Sequence, residues 1–254
     1  LLAVRKGLEE ISMEVLDEGV DRATLGVLSR ATLISAEERQ VVAYHEAGHA
    51  LVAAVLPGAD LPHRLTIQPR GGTLGHCSMA DTHDRVTWSR SRLVAHMASL
   101  LGGWVAEKVV FDEVGSGASS DLERASTIAR RMVRDWGMSD TVGPMSFPTT
   151  DTGWGPVRYS EQESVTIYVE TRTLVGEARK LANDVLVSRR STLDVLASAL
   201  LERETLSRGE ILAMVDAPQG TAAHGNGTSD SAIVTSTQGG VLDLPGGRRG
   251  RYGI

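Results

Sequence analysis

The chain has 254 residues, 41% of them hydrophobic and 23% charged, an ordinary globular composition that supports one sizeable core with appendages. A net charge of −6 without clustered Lys and Arg excludes a nucleic-acid footprint, and the lone Cys77 excludes an internal disulfide framework and fits a reducing compartment. No run of about 18 uninterrupted apolar residues and no signal peptide is legible.

Leu8, Ile11, Val15 and Leu16 recur at helical spacing, predicting an amphipathic helix over 1–19 that Gly19 closes. A short helix and a linker follow over 21–33. Ser35 and Glu38 then form a Ser-x-x-Glu capping box, which opens the clearest helix of the chain, to about 56, stopped by Pro57-Gly58. Residues 65–68 read as a strand, Gly71-Gly72 as a turn and 75–79 as a return strand. A second long helix is expected over 88–110, interrupted in composition by Gly102-Gly103. Ser120 with Glu123 reads as another capping box. Behind it Leu122, Ala125, Ala129, Met132, Val133 and Trp136 make one apolar stripe that ends at Gly137. Residues 148–158 are a Pro/Gly/Thr-rich loop, and helices are expected over 160–187, 191–202 and 208–214. From 217 Gly, Ser and Thr dominate, predicting a disordered tail. The fold class expected is mainly α with a small β element.

The helix after Ser35 carries His45-Glu46-Ala47-Gly48-His49, the H-E-x-x-H pattern. A spacing of four stacks both imidazoles on one face, where they can ligate one ion. Glu46, about 100° round the helix, lies beside such an ion. From there a carboxylate can take a proton from an activated water and pass it to a leaving amine. Val41, Val42, Val52 and Leu56 share the histidines' side, so the ligands sit on a buried face, where two histidines and a glutamate would be costly without a metal.

A catalytic zinc needs a third protein ligand and an open fourth position. Asp121, in the first turn of a new helix, is one candidate, since a helix N-terminus favours the ionised carboxylate; its bland role is capping. Glu107 competes, either as a direct ligand or as a carboxylate behind a ligating histidine. Adjacent His76 and Cys77 alternate faces if they lie on a strand, which argues against joint ligation. His63, His83 and His96 read as surface or core residues, and His224 lies in the tail. Gly71 to Gly75 is no phosphate loop, since no Gly-Lys-Ser/Thr follows; a strand edge there could hold an extended chain by main-chain hydrogen bonds.

Several stretches together resemble one family. They are Val42-Ala43-Tyr44-His45-Glu46-Ala47-Gly48-His49-Ala50, Leu56-Pro57-Gly58-Ala59-Asp60, Leu100-Leu101-Gly102-Gly103, Ser116-Gly117-Ala118-Ser119-Ser120-Asp121-Leu122-Glu123-Arg124-Ala125 and Trp136-Gly137-Met138-Ser139. They run in the order found in the peptidase domain of the FtsH family, the membrane-anchored AAA zinc proteases. The segment from Leu200 to Ile211, with Leu201-Glu202-Arg203-Glu204-Thr205-Leu206, is similar to the family's last helices, and the resemblance covers about residues 1–215.

That resemblance implies a helical zinc-metallopeptidase domain, with His45 and His49 as zinc ligands, Glu46 as general base and Asp121 as third ligand. It implies three regions: 1–34 as the end of an ATPase lid with its linker, 35–216 as the peptidase domain, and 217–254 as the tail. It further implies endopeptidase action on unfolded or damaged proteins, a homo-hexamer, and an AAA ATPase module elsewhere in a longer polypeptide. ATP would bind that module, since no P-loop occurs in this sequence. Anchoring in the inner or plasma membrane through a preceding region, with the peptidase domain facing the cytoplasm, completes the expectation. Trp104 departs from the family, which usually has Arg there, as do the 148–158 loop and 166–173. Two other readings are a non-catalytic assembly module and a stand-alone ATP-independent peptidase; activity of the isolated chain separates the first, the upstream gene sequence the second.

Overall fold

The computed structural model describes residues 1–24, 26–28, 35–71, 73–80, 87–147 and 160–217. Its centre is helix α3 (Ala36–Val55), which starts as its capping box requires: the Ser35 hydroxyl accepts the Glu38 N–H at 3.1 Å, and the Glu38 carboxylate accepts the Ser35 N–H at 3.2 Å. Every residue from 45 to 53 is buried, so α3 is covered on all sides rather than along one stripe. Its neighbours are α4 (Arg90–Phe111), α6 (Glu161–Ser188), α7 (Arg190–Arg203), α8 (Arg208–Asp216) and a small sheet. Leu51, Leu101, Met132, Leu186, Leu196 and Ile211 fill the core between them.

Helix α4 runs through Gly102-Gly103 without a break, and the glycines mark where α3 and α4 cross. A methyl group on Gly48 would stand 2.4 Å from the Gly102 carbonyl oxygen, and one on Gly102 would stand 2.7 Å from the Gly48 carbonyl oxygen. Two backbones therefore touch where any other residue would hold them apart. The same α4 is long and apolar enough to cross a membrane, yet most of it is buried as a core helix.

The sheet has strand order β2-β1-β3, with β1 (Leu61–Thr66) antiparallel to both β2 (His76–Ala80) and β3 (Thr205–Ser207). The first strand lies earlier than its apolar pattern suggests and leaves Gln68 outside, because its inward residues Pro62 and Leu65 are set by a bulge between Pro62 and Arg64. Strand β3, three residues long, is too short to leave a periodic signal.

Three local expectations change. Residues 1–19 do not form one helix: α1 covers Leu2–Arg5 and α2 covers Met13–Thr24, with Gly19 inside α2. Ser120 is not a cap: a 3-10 turn (Ser116–Ala118) runs straight into α5 (Ser119–Arg134), placing Ser120 within the helix. Along α5 the buried stripe is Ala125, Ala129, Met132 and Val133. Leu122 and Trp136 stay partly exposed, and Arg131 lies over the Trp136 ring at 4.6 Å. The helices after 160 follow their predicted bounds closely, α6 and α8 again opening with capping boxes, at Ser160 and Ser207. The 148–158 loop and the tail beyond residue 217 lie outside the described residues. The mainly helical class with a small β element is borne out.

Candidate metal centre

On the buried face of α3 the two histidines of the H-E-x-x-H pattern turn their rings toward each other, centroids 4.7 Å apart, with Nε2 to Nε2 at 3.0 Å. The other ring nitrogens are committed. His49 Nδ1–H donates to the Ser99 carbonyl at 2.7 Å, and His45 Nδ1–H donates to Glu107 Oε1 at 2.5 Å. A carbonyl can only accept, so the bond requires a proton on His49 Nδ1, and in the neutral ring Nε2 is then a lone pair. With His45 in the matching tautomer, two lone pairs face each other across 3.0 Å inside the protein. Such a pair repels unless a proton or a cation lies between them.

Asp121 closes the arrangement. Its Oδ2 lies 3.5 Å from His45 Nε2 and 3.4 Å from His49 Nε2. The three edges of this triangle, 3.0, 3.4 and 3.5 Å, bracket the edge of about 3.3 Å expected between ligand atoms that sit about 2.0 Å from one tetrahedral zinc. These donors are two imidazoles and one carboxylate within 4.8 Å of one another, a set that suits zinc and leaves the fourth vertex open. The residues present therefore fit the ion.

The charges lean the same way. Burial alone would lower the His45 imidazole, but the Asp121 and Glu107 carboxylates beside it push it up to about 10. Burial works to raise the Asp121 carboxyl, yet the two histidines hold it well below the usual carboxylate range. The site thus calls for positive charge at the meeting point of three side chains.

Glu107, the rival ligand, stands behind His45 rather than in the triangle. It is 3% exposed, and while Oε1 holds His45, Oε2 accepts the Gly115 N–H at 2.6 Å. It thereby ties the first histidine to the residue that precedes the 3-10 turn leading into the helix of Asp121. Glu46 is buried beside the triangle, and burial pushes its carboxyl up. It lies against Gly75, just before β2, where a methyl group would come within 2.8 Å of its Cγ and Oε1. On the other side Gly103 faces the His45 ring, and a methyl group there would overlap it at 2.5 Å. Ser99, Gly75 and Gly103 are the contributors that motif reading passes over. The glycine pair in an otherwise apolar helix was the one signal that could have pointed to a close approach.

The remaining candidates do not join the triangle. His76 is half-buried at the start of β2, an edge strand beside α3, and burial lowers its imidazole. Cys77 pairs with the core residue Leu65, and burial pushes its thiol up. His63 lies near Asp17 at 3.8 Å and His96 near Asp60 at 3.9 Å, both away from the site, while His83 and His224 lie outside the described residues. Trp104 is partly buried against the core.

Known proteins are similar to this chain over most of its length. The chain is 41% identical over 223 residues to the ATP-dependent zinc metalloprotease FtsH of Rubrobacter xylanophilus, covering 85% of this chain and 34% of that protein. With the protein of the same name from Thermus thermophilus it shares 39% over 220 residues, 85% of this chain and 35% of the relative. For Bacillus subtilis the figures are 36% over 238 residues, 91% and 37%. The chain thus spans about a third of the length of these relatives. Residues 32–214, which contain the triangle, Glu46 and the helices packed around them up to the last turn of α8, match the peptidase family M41. By that match over most of its length, the chain belongs to peptidase family M41.

Proposed function

We propose that this chain is the zinc-dependent endopeptidase part of an ATP-driven protease that degrades unfolded or damaged proteins. The observation that carries the reading is the triangle of His45, His49 and Asp121 with Glu46 buried at its side. Zinc, when bound there, supplies Lewis acidity that activates water and polarises the scissile carbonyl. His45 and His49 hold it through Nε2, with Glu107 and the Ser99 carbonyl fixing both rings from behind. Asp121 would be the third ligand. Glu46 receives the proton of the attacking water and delivers it to the departing amine, and its raised carboxyl suits a group that must hold that proton in transit.

The relatives' names speak of ATP dependence, and we assign that property to an ATPase module outside this sequence. Residues 1–34 then form the end of that module's lid and its linker, 35–216 the peptidase domain and 217–254 a tail. Assembly as a homo-hexamer, anchored in the inner or plasma membrane through another part of the polypeptide with the peptidase facing the cytoplasm, belongs to the same reading.

The test is Glu46→Gln. It should retain about one zinc per chain while casein cleavage falls by a factor on the order of 10² to 10⁴. Cleavage at the wild-type rate would remove Glu46 from the mechanism, and absence of zinc from folded wild-type protein would remove the metal.

A further inference from the structure

Helices α5 and α6 enclose an open groove of about 640 Å³ on the outside of the molecule, lined among others by Ser126, Arg130, Ile167, Tyr168, Arg172 and Arg179. Three guanidinium groups face it, and none meets a carboxylate among the described residues. Arg130 donates to the Ser126 carbonyl and the Thr127 hydroxyl of its own helix, and Arg172 lies over the Tyr168 ring at 5.9 Å. Elsewhere pairing is the habit of this chain: Arg39, Arg70, Arg90, Arg92, Arg190 and Arg203 each hold a carboxylate. Two acidic residues on the same stretch of α6 are turned to other partners, Glu170 accepting from the Ser139 hydroxyl and Glu177 pairing with Arg90. In a chain of net charge −6, one groove has been left with basic groups alone.

Apolar surface accompanies the charge. Val165, Tyr168 and Val169 recur at helical spacing on α6 and are 52%, 62% and 50% exposed. Arg172 and Arg179 stand two turns apart, about 10 Å along the axis, with Arg130 on the opposite wall. A compact anion such as phosphate needs donors that converge on one point. Guanidiniums strung along a groove with aliphatic and aromatic groups between them match carboxylates strung along a chain.

We propose that the α5–α6 groove is a docking site for an acidic polypeptide segment with interspersed apolar side chains, on a partner or substrate protein. The groove begins at Ser126, five residues along α5 from Asp121, about 7 Å up the helix and about 140° round it, and it shares no lining residue with the metal triangle. The inference stands on charge and shape and does not require the site to be a peptidase.

The measurement is fluorescence anisotropy of a labelled peptide of about twelve residues, Glu and Asp interspersed with Leu, against a Lys-for-Glu/Asp counterpart. The full 254-residue chain carries Glu46→Gln so that the peptide stays intact, and because binding needs no hydrolysis, failure of the peptidase reading leaves this result interpretable. The acidic peptide should bind, the basic one should not, and affinity should fall as salt rises. Arg130→Gln, Arg172→Gln and Arg179→Gln together should cost about tenfold in affinity, each exposed pair contributing a few-fold at most. Zinc content and helix content should not change, since all three side chains are exposed. Equal binding by the triple variant overturns the proposal. So does binding of inorganic phosphate or phosphatidylglycerol vesicles through these arginines without binding of the peptide. Self-association in sedimentation that the triple variant abolishes, again without peptide binding, would make the occupant a second copy of this chain and overturn it too.

Discussion

Glu107 and Asp121 are both carboxylates near His45, and the difference between them is one of distance from the histidines' free nitrogens. Asp121 meets both Nε2 atoms, whereas Glu107 reaches only the far nitrogen of one ring. With Asp121 as ligand, Asp121→Asn should weaken zinc retention more than Glu107→Gln, whose loss should be about 10- to 100-fold, as for other carboxylates behind a ligating histidine. Competition against a graded chelator measures both, and the reverse ranking would exchange their roles. Protons give a second check. With its pKa raised to about 10, the metal-free His45 is protonated at neutral pH, and zinc must displace that proton. Binding at pH 7 should therefore release about one proton per ion, and affinity should climb as pH rises toward 10. Calorimetry in buffers of different ionisation enthalpy reads this directly. For the metal-free fold the sign reverses: a raised histidine pKa contributes stability in full below about 6.5, and that contribution fades as pH rises through about 10.

At the level of elements, the metal centre depends on how closely α3 approaches α4. Gly102→Ala should improve intrinsic helix propensity by about 1 kcal/mol, yet its methyl group meets the Gly48 carbonyl oxygen at 2.7 Å with no flexible side chain to yield. Separating two packed helices costs about 1–3 kcal/mol, so the variant should unfold at lower urea and bind zinc less tightly, because Ser99 and Glu107 move with α4. Unchanged stability with unchanged zinc affinity would show that the contact is slack. This crossing also marks the limit of what could be read in the primary structure. The capping box at Ser35, the apolar residues at helical spacing and the His45–His49 interval are local, so the long helices and the histidine pair were legible. The triangle's third corner was left between Asp121 and Glu107 by residue chemistry alone, since choosing needed the positions of α4 and α5. Ser120 misled because the 3-10 turn before it supplies a helical entry that needs no cap. Strand β3 escaped because three residues joined to a strand 139 positions earlier carry no local pattern.

Across the whole molecule, helix α2 is attached to the sheet side of the chain by charge: its carboxylates meet Arg64 and Arg70. Arg70, 3% exposed, donates to Glu18 of α2 at 2.6 Å and lies near Asp21 at 3.6 Å, while Arg64 meets Asp21 at 3.0 Å. The Arg70 guanidinium beside Glu18, working against burial and helped by Arg22, holds that carboxyl down to about 2. A depressed carboxylate contributes its stability above its ordinary value of 4.5 and loses it as pH falls toward 2. Amide exchange in 13–24 should therefore accelerate across that acid window before the α3–α4 core responds, and Glu18→Gln should bring the same loosening at neutral pH. Simultaneous loss of α2 and the core would mean that the two form one cooperative unit. The order in which the chain emerges during synthesis adds a last consequence. Tyr44 of α3 holds Asp194 of α7, 150 residues later, and Thr66 of β1 meets Thr205 of β3. The histidines precede all of these partners, and the helix that carries them gains its full packing only after α8, which ends at Asp216, has left the ribosome. Under the peptidase reading proposed above, a nascent chain is thus without its finished site until these last helices have been made, and is kept from acting on the unfolded polypeptide nearest to hand, which is itself.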